Sequence, residues 1–274
     1  MPLPRSPHVV ITGAGSGFGR ALALALSGAP WHARLVLSDI QEATAAETAK
    51  LALAAGAKEA KSLVCDVSKL DQVEALAAAA TSAGFGPIDL VVNNAGVSSG
   101  GRIGEAPIAD WRWTIEIDLF GVIYGCHVFV PILRKQGHGH VLNMASAAGL
   151  IHPPQMGAYN VAKAGVVALS ETLAAELVQT KIGVTVLCPT FFQTDIVKSG
   201  RFKDEATKQH GQKVIDAGKS PESVAKAALT AVAHDRFYCV PMLDGRMAWR
   251  VKRVVPQAFS KMVGKAALRR LPPE

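Results

Sequence analysis

Val9-Val10-Ile11-Thr12-Gly13-Ala14-Gly15-Ser16-Gly17-Phe18-Gly19-Arg20-Ala21-Leu22-Ala23-Leu24-Ala25-Leu26 reads as three pieces in succession. The run Val9–Ile11 predicts a strand, the glycines a tight turn, and the apolar repeat after Arg20 a helix. Glycines let the backbone turn sharply and approach a pyrophosphate, while the free N–H groups and positive end of the following helix favour its charge. Taken alone, such a turn reads equally as an ordinary strand-to-helix connection. A second strand, Leu35–Ser38, ends at Asp39, whose carboxylate can accept hydrogen bonds from adenosine ribose hydroxyls. The other reading of Asp39 is a cap on the next helix.

Outward from this segment the pattern repeats. Strands are expected at Lys61–Cys65, Asp89–Val92, His140–Met144, Gly183–Cys188 and Tyr238–Val240, with helices between them at Ala43–Ala54, Leu70–Ala80, Trp111–Leu133 and Ala158–Gln179. Ser68 is expected to cap the helix after it, and Ser220-Pro221 to open another. Alternation at this spacing predicts an α/β fold: a single doubly wound Rossmann-type domain with a central parallel sheet of about seven strands flanked by helices and ligands at the carboxyl edge.

Tyr159-Asn160-Val161-Ala162-Lys163, with Ser146 thirteen residues before the tyrosine, places a phenol, an ammonium and a hydroxyl where they can converge on one oxygen. Residues four apart share a helix face. An ammonium near a phenol favours the phenolate, so Lys163 is expected to lower the Tyr159 pKa towards a range useful for acid–base work.

Taken together, from about Val9 to about Thr194, these residues resemble the short-chain dehydrogenase/reductase family. Thr12 to Gly19 match its Thr-Gly-x-x-x-Gly-x-Gly turn, Asp66 the carboxylate that contacts adenine, Asn93-Asn94-Ala95-Gly96 the segment that stabilises the sheet, and Ser146, Tyr159 and Lys163 its catalytic positions. The resemblance implies NAD as cofactor, held by Gly13, Ser16, Gly17, Phe18, Gly19 and Asp39 at the first turn. Asp66, Val67, Asn93, Ala95 and Thr194 would hold it farther along the edge, with Tyr159 and Lys163 at the nicotinamide ribose. Asp39, with Ser16 rather than a basic residue before Gly17, points to NAD over NADP. The implied reaction interconverts a secondary alcohol and a ketone: Tyr159 moves the proton, Ser146 hydrogen-bonds the substrate oxygen and the cofactor carries the hydride. Two positions depart from the family. Asp118 stands where the family has Asn, seven residues after Trp111, and Pro189 is followed by Thr190 instead of Gly. Asp118 is expected to keep a water relay to Lys163 while raising the Lys163 pKa. The same departure supports a second reading, a catalytically weak dinucleotide-binding sensor or scaffold.

Composition agrees with this fold. A chain of 274 residues with 49% hydrophobic content has material for a buried parallel sheet. The four cysteines, Cys65, Cys126, Cys188 and Cys239, show no Cys-x-x-Cys spacing and predict burial in a reducing compartment, hence a cytoplasmic protein. The eight histidines include only the pair His138 and His140 close together, read as a turn before a strand, and no metal is expected. The first strand begins within ten residues, which predicts no secretory leader, and the apolar stretch Leu119–Leu133 falls short of a membrane span of about 18–20 residues.

Residues 191–219 fit neither periodicity; the family resemblance implies a substrate lid there, and the alternative is an uninvolved surface excursion. Val97, Ile151, Met156, Phe191 and Phe192 are candidates for an apolar substrate wall, with His152 and Gln155 beside them; the alternatives are plain core and a solvent-facing histidine. Residues 1–245 are read as the catalytic domain and 246–274 as a basic amphipathic extension. That extension carries the whole formal net charge of +7. It suits either peripheral contact with anionic lipid or packing on its own subunit or a neighbour. No base-reading motif accompanies the charge, so nucleic acid is not an expected partner. The expected partners are a small-molecule alcohol or ketone and further copies of the chain, as a homodimer or homotetramer.

Overall fold

The computed structural model describes residues 3–82, 84–203 and 205–268. The chain runs β1 (His8–Thr12), α1 (Gly17–Ser27), β2 (Arg34–Asp39), α2 (Glu42–Ala54), β3 (Glu59–Val64), α3 (Leu70–Thr81) and β4 (Leu90–Asn93), then the short β5 (Ser99–Gly100). Next come α4 (Ile108–Ile115), a π turn (Glu116–Phe120), α5 (Gly121–Gln136), β6 (Gly139–Met144), α6 (Ala148–Ile151), α7 (Gly157–Glu176) and β7 (Ile182–Leu187). The last part holds β8 (Arg201–Phe202), α8 (Glu205–Asp216), α9 (Pro221–Ala233), β9 (Tyr238–Cys239), α10 (Leu243–Val254) and α11 (Pro256–Leu268).

Seven strands form one parallel sheet in the order β3-β2-β1-β4-β6-β7-β9. The chain winds outward from β1 to β3 and then returns to place β4 on the other side of β1. That reversal opens a crevice between the carboxyl ends of β1 and β4, the place where open α/β sheets bind ligands. Successive side chains of β1 go to opposite faces. Val9 and Ile11 join Leu22, Leu26, Ala49 and Leu229 on one side, while Val10 joins Leu76, Phe129 and Val166 on the other. Both faces of the central strands are covered, which is why β1 and β4 read as apolar runs, whereas the edge strand β3 is polar and partly exposed.

Several expectations are corrected. Ser68 does not cap α3: its N–H and hydroxyl both go to Asp66 Oδ1 and shape the turn before the helix. Ser220 does cap α9, accepting from the Ser223 N–H. Residues 191–219 contain α8, whose polar face hid its periodicity, and β8, which pairs with β5 in a second small sheet. The helix expected at Trp111–Leu133 runs from Ile108 to Gln136 through the π turn, and by length and composition it reaches a membrane span. Gly121, Val122, Gly125, Cys126, Phe129, Val130 and Leu133 bury one side of it in the fold, so it is a core helix here.

Candidate active site

At the amino-terminal end of the crevice the turn is shaped by backbone. Gly13 and Gly17 adopt left-handed φ values of 63° and 48°. A Cβ on Gly19 would stand 2.2 Å from the Gly13 carbonyl oxygen, so only glycine lets α1 start this close to β1. Ser16 is exposed in extended conformation at the amino end of α1, and no acidic residue occupies the first turn, leaving its N–H groups and dipole to an anion. Phe18 is buried in the core, so only its main chain faces the crevice. Asp39 ends β2 and accepts from Gly15 N–H at 2.9 Å and Gln41 N–H at 3.0 Å, which fixes its carboxylate beside the turn; it does not cap α2, whose N-cap is Gln41. Thr12 Oγ1 accepts from the N–H groups of Asn94 and Ala95, and the Asn94 amide donates to the carbonyls of Thr12 and Gly13, tying the end of β4 to the turn.

Asn93 faces inward at the end of β4. Its side chain turns into the core, donating to Asn143 Oδ1 at 2.9 Å, so only its main chain can meet a cofactor. Val67 is buried against Gly121 beside the Asp66 turn. Thr194 stands over Gly17: a Cβ there would lie 3.3 Å from Thr194 Oγ1. Behind it a cavity of about 430 Å³ runs between α1 and α8, lined by Arg20, Lys198 and Asp216 among others.

At the other end the groups are buried side chains. Tyr159 and Lys163 lie one turn apart on α7, with Lys163 Nζ 5.6 Å from the centre of the phenol ring. Lys163 donates to the Met144 carbonyl at the end of β6 (3.1 Å), and its Nζ is 3.3 Å from Asp118 Oδ2. The π turn directs Asp118 inward, where it is fully buried and accepts from Val97 N–H at 2.7 Å. Gly149 brings α6 against α7, since a Cβ there would meet the Lys163 carbonyl at 2.5 Å. Ser146 Oγ accepts from Ala148 N–H at 3.1 Å.

Electrostatics follow burial. Lys163 is disfavoured as a cation by desolvation, but Asp118 and Tyr159 more than restore it, so its pKa is raised. Asp118 is raised by burial, against the pull of Lys163 and the Val97 N–H. The expectation for Tyr159 is overturned: its pKa lies above the ordinary value because burial outweighs Lys163 and Ser146, which pull it down, while Asp118 adds to the rise.

The candidate substrate residues separate into three groups. Val97, Ile151 and Met156 are half-buried near the centre, and Met156 is bridged to Gly101. Phe191 is exposed, whereas Phe192 is corrected: it packs on the core formed with α1 and α9, held there where the chain passes tightly over Gly218. His152 and Gln155 adopt left-handed backbone, with φ of 53° and 63°. His152 faces solvent, as its alternative reading expects, but it is also held by neighbours. Its Nε2 faces the Gly149 carbonyl and its Nδ1 meets Lys252 Nζ of α10, which also donates to the Leu150 carbonyl at 2.7 Å. Burial and the Lys252 charge hold the His152 pKa down, while the hydrogen bond to the Gly149 carbonyl pulls it up. No local signal marks Lys252, because its partner lies a hundred residues away.

Comparison with known proteins agrees with this geometry. The family model described as short chain dehydrogenase matches residues 7–205. SadH of Mycobacterium tuberculosis is 34% identical over 268 residues, covering 96% of each chain. The CLA biosynthesis dehydrogenase/reductase of Lactiplantibacillus plantarum is 33% identical over 89% of this chain and 92% of its own. The crystal structure of a short chain dehydrogenase/reductase from Burkholderia phymatum in complex with NAD aligns with a TM-score of 0.85 at 36% identity, over 100% of this chain and 99% of that one.

Proposed function

This chain belongs to the short-chain dehydrogenase family, and we propose that within it the protein is an NAD-dependent oxidoreductase interconverting a secondary alcohol and a ketone. The observation that carries the reading is the buried line Tyr159–Lys163–Asp118 lying at the same sheet edge as the glycine turn. The residues at that turn suit a dinucleotide: the Gly19 position excludes any side chain, the amino end of α1 is free of acids, and Asp39 stands ready for ribose hydroxyls. The presence of NAD in the Burkholderia phymatum structure supports the same assignment.

When bound, NAD supplies hydride exchange with the substrate carbon. The remaining work falls to the chain. The first turn of α1 neutralises the diphosphate, and the fixed carboxylate of Asp39 repels a 2′-phosphate. Tyr159 takes the hydroxyl proton in oxidation and returns one in reduction. The Ser146 hydroxyl donates to the same oxygen and stabilises charge on it. Lys163, kept cationic by Asp118, opposes the rise in the Tyr159 pKa caused by burial. Val97, Ile151 and Phe191 support an apolar substrate. Exposed Phe120 and Val161, on neighbouring helical segments, support a homodimer or homotetramer, and four unpaired buried cysteines support work in the cytoplasm.

Purified protein incubated with NAD and a panel of secondary alcohols, or with reduced cofactor and ketones, is expected to show a change in reduced-cofactor absorbance. Asp118 in place of Asn favours a second reading, a dinucleotide sensor. NAD binding without turnover across the panel would select it.

A further inference from the structure

Helix α10 has two faces with different environments. Its inner face is joined to the rest of the chain. Gly245 is buried, where a Cβ would stand 2.6 Å from Thr190 Cγ2, the Trp249 ring lies 4.6 Å from that of Tyr238, and Lys252 holds the Leu150 carbonyl. Its outer face carries Leu243, Met247, Val251 and Val254, spaced four, four and three residues apart and therefore in one stripe. These four side chains are 66%, 50%, 40% and 80% exposed. Arg246, Arg250 and Arg253, at the same spacing, form a row directly beside the stripe. Among the described residues no carboxylate pairs with these three guanidiniums. The pattern continues beyond Pro256, where Met262 is 55% exposed between Lys261 and Lys265. Arg269, Arg270 and Glu274, counted in the tail charge, lie outside the described residues.

We propose that this outer face of α10 and α11 docks on an anionic bilayer surface. An apolar stripe flanked by a continuous basic row has the chemistry of an interfacial helix: the aliphatic side chains enter the headgroup boundary while the guanidiniums stay level with lipid phosphates. Charge complementarity selects this occupant. A second copy meeting the stripe with its helix antiparallel through a two-fold axis would set the two arginine rows against each other. Docking would also orient the site, because the inner face of α10 touches Thr190, Leu150 and His152 beside the catalytic groups. Delivery of an apolar alcohol or ketone from the lipid phase rests on the function proposed above; the docking does not.

The test uses the full chain, sedimented with vesicles of phosphatidylcholine alone and of phosphatidylcholine mixed with phosphatidylglycerol, at low and high salt. The protein is expected to pellet with the mixed vesicles only and to be released by salt. Arg246→Gln, Arg250→Gln and Arg253→Gln combined should weaken binding on the order of a hundredfold, given the usual contribution of each basic residue near such a surface. Met247→Glu with Val251→Glu should abolish it, while NAD binding, followed by fluorescence, stays unchanged and reports an intact fold. Failure of the native chain to pellet with mixed vesicles overturns the proposal. So does a Met247→Glu/Val251→Glu protein that binds vesicles like the native chain but shows a smaller assembly by light scattering, which would assign the stripe to a second copy.

Discussion

The two ends of the proposed site are built in opposite ways. At the glycine turn the contacts are main chain: left-handed Gly13 and Gly17, a carbonyl 2.2 Å from where a Gly19 Cβ would be, and N–H groups gathered by Asp39. At the catalytic end the contacts are side chains, with Tyr159, Lys163 and Asp118 all buried and carrying or exchanging charge. The first end works by leaving side chains out of the turn itself, with Asp39, Thr12 and Asn94 bracing it from outside, so its shape follows from the glycine spacing. The second depends on how far water is excluded, and burial reverses the direction of a pKa that spacing had suggested.

The largest effect should come at the catalytic end. Tyr159→Phe is expected to lower kcat about 10²–10⁴-fold in steady-state kinetics while leaving the NAD dissociation constant near that of the native chain. A parallel loss of NAD affinity would mean that the two ends do not act separately. At the turn the roles should invert. Gly19→Ala is expected to raise the NAD dissociation constant roughly 10–100-fold in calorimetry, the equivalent of an overpacking cost of about 1–3 kcal/mol, with kcat at saturating cofactor little changed. Asp39→Ala should narrow the preference for NAD over NADP by about tenfold, since a single carboxylate beside a 2′-phosphate is removed. Equal use of both cofactors by the native chain would break that assignment.

The smallest and most diagnostic change is Asp118→Asn, which alters one atom of the buried line. Asp118 raises the Tyr159 pKa, so removing its charge lets the phenol ionise at lower pH. Alcohol oxidation needs the phenolate, and its rising limb should therefore move towards lower pH. The Lys163 pKa should fall as well, because its nearest counter-charge is lost. A pH–rate profile that does not move would remove Asp118 from the catalytic machinery.

Much of the fold was legible because its signals are local. A β-branched run, a glycine turn and an apolar helix identify β1 and α1 without reference to anything distant, and each later strand repeats that grammar. Helix α8 was missed because its exposed surface is nearly all polar, and β5 and β8 because two-residue strands have no periodicity to read. Phe192 could not be told from a pocket residue, since an aromatic side chain reads alike in a wall or a core.

By itself, then, the sequence pointed to the seven strands of the main sheet, the glycine turn, the spacing of Ser146, Tyr159 and Lys163, and the basic charge of the tail. Each of these is carried by neighbours within a turn or two of chain, or by simple count of charge. Tertiary structure alone decided that Asn93 faces the core, that Lys252 reaches back a hundred residues to His152 and Leu150, and how deeply the expected Asp118–Lys163 pair is buried. Those outcomes depend on which surfaces come together and how much solvent they exclude. Desolvation is a property of the packed chain, and no spacing of residues along it encodes the amount.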